Sequence, residues 1–481
     1  MQAVPSELLA IDRRERANRP FLDLDLRPAA IRTCDFDDVI IPFSPERAMA
    51  EAARCVHCPD PAPCMLACPA HNDIPSALWL IEQGRFVDAA AIYHETSSLP
   101  EICGRVCPHE ALCQGSCVQS KHHAPVLTGA LEAFAADHER EAEGYSIPLG
   151  PPTGRRVAII GSGPAGVACA DILLRRGHAV TVFDAKPAPG GLLVYGIPNF
   201  KLPKDVWEAK WAQFQRAGVK FKPRVYVGKD LTIDDLFEAG YAAVFIGTGS
   251  EVDAKMEDAP GTDLPGVFEA TDFLIRSNVD PALLPEGSRE PPRIGRRVVV
   301  IGGGDTASDC LRTALRLGAA EVTCLYRRTE TEMPGGKKDR TMARQEGAKY
   351  RFLTQPVKFI AGPDGRLAAV ECIEMVLGEP DAKGRRRPVP VEGSNFSVAA
   401  DTAILALGYW PDPILGKTTP GLETNDWGLI TVPAGGNGAT SRRGVFSGGD
   451  CVTGPDLVVT AMVAGRRAGA AIDEFLASSP S

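Results

Sequence analysis

The sequence predicts an α/β protein in which an α-helical N-terminal domain precedes two Rossmann-like, doubly wound regions. Three observations carry this prediction. Residues 40–140 are rich in Ala, Glu, Leu and Cys, with helix-like patterning. From Arg156 short β-branched strands alternate with helices. A strand that runs straight into a glycine loop occurs twice, from Val157 and from Val298. At 481 residues the chain is long enough for about three domains, each with its own core.

The formal net charge of −9 gives no electrostatic reason to expect DNA, RNA or an anionic lipid surface as partner. Met1–Arg16 mixes acids and bases without an apolar core and does not read as a signal peptide. No apolar run approaches the roughly 18 residues needed to span a bilayer. A cytoplasmic protein with no nucleic-acid or membrane partner is expected.

In the N-terminal region helices are predicted over Pro45–Ala53 and Ile74–Tyr93. Around them lie eight cysteines, spaced Cys55-x2-Cys58-x5-Cys64-x3-Cys68-Pro69 and Cys103-x3-Cys107-Pro108-x4-Cys113-x3-Cys117. Runs that open with C-x2-C and close with C-x3-C-P have the form that holds cubane iron–sulfur clusters, and the last cysteine of a run can serve the other cluster. Structural zinc would also use four thiolates, but zinc ribbons favour two C-x2-C pairs and only Cys55/Cys58 forms one. A disulfide framework belongs to secreted chains.

After the Pro/Gly linker Ile147–Gly154, a strand from Val157 meets Gly161-Ser-Gly163-Pro164-Ala165-Gly166 and the helix Val167–Arg176. In such a loop the first glycine permits the tight turn, the second lets a pyrophosphate approach the backbone, and the third allows helix and strand to pack closely. Asp184 closes the next strand, Ala179–Phe183, where a carboxylate can bind ribose hydroxyls. A second Pro-rich break, Leu284–Pro292, precedes the strand Arg297–Ile301 and the loop Gly302-Gly303-Gly304-Asp305-Thr306-Ala307, which opens the helix Thr306–Leu317. At the end of its second strand, Glu321–Tyr326, the ribose-binding acid is replaced by Arg327-Arg328. Arginine can pair with the 2′-phosphate of NADP, so NADPH is expected rather than NADH.

Gly448-Gly449-Asp450 resembles the sequence by which two-dinucleotide flavoproteins hold the FAD diphosphate and ribityl chain. Ile246-Gly-Thr-Gly249 and Ala406-Leu-Gly408 resemble the paired crossovers that join the two domains in that fold. The resemblance implies an FAD domain over 151–288 and 411–481 with an NADPH domain over 289–410 inserted within it, while residues 1–150 read, from their composition and cysteines, as an α-helical domain expected to hold two [4Fe-4S] clusters. Disulfide reductases of this fold keep a C-x-x-C pair beside the flavin, and none occurs after residue 58. Cys169, Cys310, Cys324, Cys372 and Cys451 read as isolated packed thiols.

More specifically, Cys103-Gly-Arg-Val-Cys107-Pro, the segment Gly190–Pro203 (GGLLVYGIPNFKLP), Tyr326–Pro334, Gly378–Arg387 and Asp456-Leu-Val-Val-Thr-Ala-Met462 resemble the small (β) subunit of bacterial NADPH-dependent glutamate synthase, over nearly the whole chain. Related modules occur in dihydropyrimidine dehydrogenase and in ferredoxin:NADP oxidoreductases, with other partners. The resemblance implies one cluster on Cys55, Cys58, Cys64 and Cys117 and another on Cys68, Cys107 and Cys113. The fourth ligand of the second is implied to be Glu132, in Gly129-Ala-Leu-Glu132, with Cys103 a bystander. The count of eight cysteines favours Cys103 instead, so both stay open. By the same resemblance Gly191, Leu192 and Lys204 lie along the flavin, while Gly249, Gly408, Gly449 and Asp450 border it. Val459 and Thr460 open a helix whose N-terminal dipole faces it. Hydride passes from NADPH to FAD with no catalytic side chain implied, and electrons leave through the clusters to a large (α) subunit. That subunit carries FMN and a glutaminase and makes L-glutamate from L-glutamine and 2-oxoglutarate. Delivery to ferredoxin or to a pyrimidine-reducing partner is the enzyme alternative, and a redox-sensing or assembly scaffold the non-enzymatic one.

Overall fold

The computed structural model describes residues 11–121, 123–142, 145–380 and 386–478. Residues 1–10, and residues 381–385 of the Gly378–Arg387 motif, lie outside them.

Local capping builds the N-terminal helices. Helix Pro45–Ala52 starts at Ser44, whose hydroxyl accepts from the Arg47 N–H at 3.4 Å, and Asp73 caps helix Ile74–Glu82 through the Ser76 N–H at 3.2 Å. The single helix expected over Ile74–Tyr93 is instead two, Ile74–Glu82 and Phe86–Thr96. Gly84 separates them at φ +72°, a left-handed conformation that terminates a helix and that glycine adopts without strain. Helices Pro100–Val106 and Thr128–Ala142 cross closely because glycines meet there. A Cβ on Gly104 would lie 2.5 Å from the Ala133 backbone nitrogen, and one on Gly129 would lie 2.2 Å from the His109 ring. This close crossing brings Cys107 beside Glu132.

The remainder forms two five-stranded parallel sheets. In the first the spatial order is Val445–Ser447, Ala243–Ile246, Arg156–Ile160, Ala179–Asp184, Lys220–Pro223. The second runs Val267–Glu269, Thr402–Leu405, Arg297–Ile301, Glu321–Leu325, Lys349–Arg351. The chain leaves the first sheet after Ile246 and returns for Val445–Ser447, so the second unit interrupts the first. The outgoing Val252–Asp253 and the returning Tyr409–Trp410 pair antiparallel at the crossover. The second unit begins earlier than residue 289, because Val267–Glu269 pairs with Thr402–Leu405 and helix Ala270–Asn278 packs into the same core. The Pro-rich break at Leu284–Pro292 therefore lies inside that unit. An antiparallel sheet of Thr354–Ala361, Leu367–Pro380, Arg386–Pro390 and Phe396–Ala399 is appended to it.

Two buried junctions fix the parts. Helix Val458–Ser478 lies against helix Pro164–Arg175 at Gly465, where a Cβ would stand 2.0 Å from the Ala165 carbonyl oxygen. Gly465→Ala therefore has to push the two helices apart. It is expected to lower stability by about 1–3 kcal/mol, read as a lower thermal midpoint. Arg466, one residue on, reaches Ser98 Oγ (2.8 Å) and Asp171 Oδ2 (3.0 Å), tying the helical domain to the first unit.

At the second junction Arg32, from the N-terminal segment, meets Glu346, Arg312 and Arg316 of the second unit. Phe200 of the first unit lies beneath the Arg312 and Arg316 guanidinium groups, 4.5 and 3.9 Å from its ring centre. Among the described residues no helix is long and apolar enough to cross a membrane.

Candidate functional site

A cleft of about 1500 Å³ runs between the two parallel sheets. Single drug-sized ligands fill about 300–1000 Å³, so the cleft has room for two extended ligands. Gly161, Gly163, Pro164, Ala165, Asp184, Gly191, Leu192, Gly249 and Asp450 line it from the first unit. Gly302, Gly304, Asp305, Thr306, Arg327, Arg328 and Gly408 line it from the second unit and the crossover.

Each glycine loop places a helix N-terminus on this space. Gly163 precedes helix Pro164–Arg175 and Gly304 precedes helix Asp305–Arg316, and neither start carries a side-chain cap. The first N–H groups of both helices are thus available to a diphosphate. Gly161 is at φ +97° and a Cβ on it would lie 2.4 Å from the Gly247 carbonyl oxygen, so the tight turn requires glycine. Gly166 does not face the cleft. A Cβ there would lie 2.0 Å from the Gly161 carbonyl oxygen, which makes it the packing member of the motif, and Ala307, 1% exposed, fills the same role in the second loop.

Asp184 is buried and both its oxygens are engaged. Oδ2 accepts from the Ser162 N–H at 2.8 Å and from the Ser162 hydroxyl, and Oδ1 accepts from the Lys186 N–H at 2.8 Å. Ser162 also accepts from the Gly190 N–H at 3.0 Å, joining the glycine loop to the Gly190–Pro203 segment. Asp450 is held up at about 7 by burial. Arg327 is exposed and Arg328 half-buried. Arg328 hydrogen-bonds the Tyr326 side chain, and its buried Nε has no hydrogen-bond partner in the protein.

Four expected cofactor contacts are placed differently. Lys204 turns away from the cleft: its Nζ donates to the carbonyls of Leu193 (2.8 Å), Ile197 (2.5 Å) and Leu202 (3.2 Å). Burial lowers its ammonium to about 7. Lys201 lines the cleft instead, paired with Asp309 (3.4 Å) and Asp339 (2.8 Å). Val459 faces the core at 3% exposure, and Thr460 closes its own turn by accepting from the Leu457 N–H at 3.1 Å. Val458 and Ala461 are the residues of that helix that reach the cleft. Gly449, at φ +83°, packs on Ala165 behind the lining. Ser162 and Lys201 carried no signal beyond their places inside motifs.

The thiols of the helical domain gather in two groups. Cys64 lies within electrostatic reach of Cys55, Cys117, Cys113 and Cys58, at a half-buried edge. Deeper, Cys68 and Cys113 face Glu132 and one another, and Cys107 faces Cys103, Glu132 and Cys113. Burial pushes Cys113 to about 12 and Cys68 to about 11, and burial with the Glu101 charge pushes Glu132 to about 8. Among the described residues no three His, Cys, Asp or Glu groups converge as on a single metal ion. Main-chain N–H groups aim at the sulfurs: His57 at Cys55, Ala70 and Asn72 at Cys68, Gln114 at Cys113. Left-handed backbone at His57 (φ +46°) and His71 (φ +53°) curls these loops around the thiols. Such N–H···S donation is one of the levers that sets the potential of an iron–sulfur cluster. Cys103 is buried, hydrogen-bonded to the Cys107 thiol, and its carbonyl accepts from His109 Nε2 at 3.1 Å. The five isolated cysteines after residue 150 are all buried.

Residues 32–144 match the family described as dihydropyrimidine dehydrogenase domain II, 4Fe-4S cluster, and residues 155–465 match the pyridine nucleotide-disulphide oxidoreductases. The glutamate synthase [NADPH] small chain of Halomonas elongata is 44% identical over 464 residues, 94% of this chain and 96% of that one. Its counterpart in Escherichia coli K12 is 42% identical over 461 residues, 95% and 97% of the two chains. The putative oxidoreductase AegA of the same bacterium is 44% identical over 451 residues, 92% of this chain and 68% of that one. FprA of Mycobacterium tuberculosis shares the fold, with a TM-score of 0.57 at 23% identity over 68% of this chain and 85% of that one. With a 4Fe-4S domain joined to a pyridine nucleotide oxidoreductase domain and near full-length identity above two fifths, the chain belongs to the family of glutamate synthase [NADPH] small chains.

Proposed function

We propose that this chain is the electron-input subunit of a cytoplasmic NADPH-dependent glutamate synthase. The observation that carries the reading is one cleft bordered by both glycine loops and by Val106, whose neighbour Cys107 belongs to the deeper thiol group. Gly161, Gly163, Pro164, Ala165, Asp184, Gly191, Leu192 and Asp450 would hold FAD. Gly302, Gly304, Asp305 and Thr306 would hold the NADPH diphosphate, with Arg327 and Arg328 on its 2′-phosphate. Two [4Fe-4S] clusters fit the two thiol groups: Cys55, Cys58, Cys64 and Cys117 at the edge, and Cys68, Cys107, Cys113 and Glu132 within. FAD, when bound, supplies the conversion from a hydride donor to single-electron acceptors.

The chain's own residues orient and insulate. Ser162 and Asp184 lock the first glycine loop, Lys201 balances Asp309 and Asp339 beside the second, and the buried inner thiols are screened from water. The half-buried outer thiols leave an exit toward a large (α) subunit carrying FMN and the glutaminase, where L-glutamine and 2-oxoglutarate become L-glutamate.

The isolated chain with NADPH should reduce artificial dyes, and glutamate should form only once the large subunit is added. No glutamate with an active large subunit overturns this reading. A second reading, electron delivery to another acceptor, is favoured by the equal identity to a putative oxidoreductase, and co-purification from the native cell separates the two. Cys103→Ala is expected to retain all its iron while Cys107→Ala loses the inner cluster, checked by iron content and electron paramagnetic resonance. Loss of iron in Cys103→Ala would make Cys103 the fourth ligand in place of Glu132.

A further inference from the structure

We infer that Asn72 is the positioning residue of the inner cluster site, fastening two ligands from separate segments, Cys68 and Glu132, in one arrangement. The inference rests on the reading of Glu132 as a ligand.

Asn72 is 3% exposed and stands at the end of the tight loop that follows Cys68. Its main-chain N–H donates to the Cys68 sulfur. Its side-chain Nδ2 donates to Glu132 Oε1 at 3.3 Å, and its Oδ1 accepts from the Thr96 hydroxyl at 2.6 Å. The chain Thr96, Asn72, Glu132 has one consistent sense of donation. As a cluster ligand Glu132 would be ionised and have no proton to give, so the amide turns its NH2 toward Glu132, and its oxygen is then free to take the Thr96 proton. Thr96 ends helix Phe86–Thr96, Asn72 precedes helix Ile74–Glu82, and Glu132 stands on helix Thr128–Ala142. One amide therefore ties three helices at the ligand.

The residue type suits the task. A glutamate reaches a metal through three rotatable bonds and needs an outer hydrogen bond to hold one rotamer, and such outer partners typically change metal affinity about 10–100-fold when removed. Lysine or arginine at this place would also fix the carboxylate but would cancel its charge, and with it the effect of an oxygen ligand on cluster potential. Asparagine orients without neutralising, and its backbone serves the neighbouring sulfur at the same time.

The test uses the full-length protein purified anaerobically with its clusters, as wild type, Asn72→Ala, Asn72→Asp, Thr96→Val and Glu132→Ala. The readouts are iron per chain, the electron paramagnetic resonance of the reduced protein, and midpoint potentials. Asn72→Ala and Asn72→Asp are expected to change the inner signal and potential or to lose about half the iron, with Asn72→Asp the more severe because two carboxylates then face each other. Thr96→Val, which keeps side-chain shape and leaves the Asn72 backbone in place, should shift the inner signal in the same direction by less. The outer signal should stay unchanged throughout. If Glu132→Ala alters the inner signal while Asn72→Ala and Thr96→Val do not, the positioning role is overturned. If Glu132→Ala alters nothing, the ligand reading itself fails. Should Asn72→Ala not fold, Thr96→Val decides the matter.

Discussion

Glu346→Ala is expected to destabilise the protein by about 3–5 kcal/mol, the cost of stranding buried charge, and to be the most damaging single substitution outside the cofactor sites. The Glu346 side chain has no exposed surface and answers three cations. Arg312 donates to it through Nε (3.0 Å) and Nη2 (2.9 Å), Arg316 through Nη1 (2.7 Å), and Arg32 pairs with it at 2.9 Å. Phe200 covers the Arg312 and Arg316 guanidinium groups and keeps water from replacing the lost carboxylate. Glu346→Gln retains the shape and one acceptor oxygen and should cost less. Denaturant unfolding of the flavin-loaded protein checks both variants. The same group gives a pH dependence. Burial alone would raise its carboxyl, but the hydrogen bonds from Arg312 and Arg316 win and hold it below the usual range. A depressed folded value means the stabilisation is complete above the ordinary glutamate pKa of about 4.3 and is lost as pH falls through the lower folded value. Wild type should therefore lose stability below about pH 4 more steeply than Glu346→Gln.

That junction was invisible in the sequence, because Arg32 and Glu346 are joined by tertiary packing and by no local pattern. What could be read was what is local. Strand, glycine loop and helix follow one another within a dozen or so residues, so the segments from Arg156 and Arg297 announced themselves, as did the arginines at the end of Glu321–Leu325. Periodicity over Ile74–Tyr93 hid the break at Gly84, since the apolar faces of the two short helices continue one another. The start of the second unit was misplaced because Val267–Glu269 is three residues long and earns its place only by pairing with Thr402–Leu405. Motif resemblance singled out the Gly190–Pro203 segment, of which Gly191, Leu192 and Lys201 line the cleft, but could not say which lysine faces it. Lys204 turns into three carbonyls, and Lys201 takes the cleft side, paired with Asp309 and Asp339. For the thiols, spacing suggested iron–sulfur ligation, while the grouping of Cys117 with the first run came from resemblance. The structure brings those same side chains within reach of one another, and it adds Asn72 and Thr96, which no spacing rule could have supplied.

Arg328→Ala is expected to raise the KM for NADPH by about 10–100-fold, the worth of roughly 1.5–3 kcal/mol for a hydrogen bond to a charged group, with kcat little changed. Arg328 is half-buried on the cleft wall, steadied by the Tyr326 side chain, and its buried Nε lacks any partner within the protein. Tyr326 in turn packs under the second glycine loop, where a Cβ on Gly303 would lie 2.5 Å from its ring. The donor is thus anchored to the loop that would cradle the diphosphate, at the end of the strand where a 2′-phosphate would sit. Arg327 is exposed and screened by salt, so Arg327→Ala should raise the NADPH KM by a smaller factor that shrinks as ionic strength rises. NADH has no 2′-phosphate, and its KM should be nearly unaffected by either change. The double variant should accordingly lose most of the preference for NADPH. Dye reduction by the isolated chain measures all of these without a partner subunit. Equal losses with NADPH and NADH would show that the two arginines support the loop rather than read the phosphate. Tyr326→Phe separates the remaining contribution: it removes the hydroxyl that steadies Arg328 while leaving the ring under Gly303, and should produce a small NADPH-specific rise in KM.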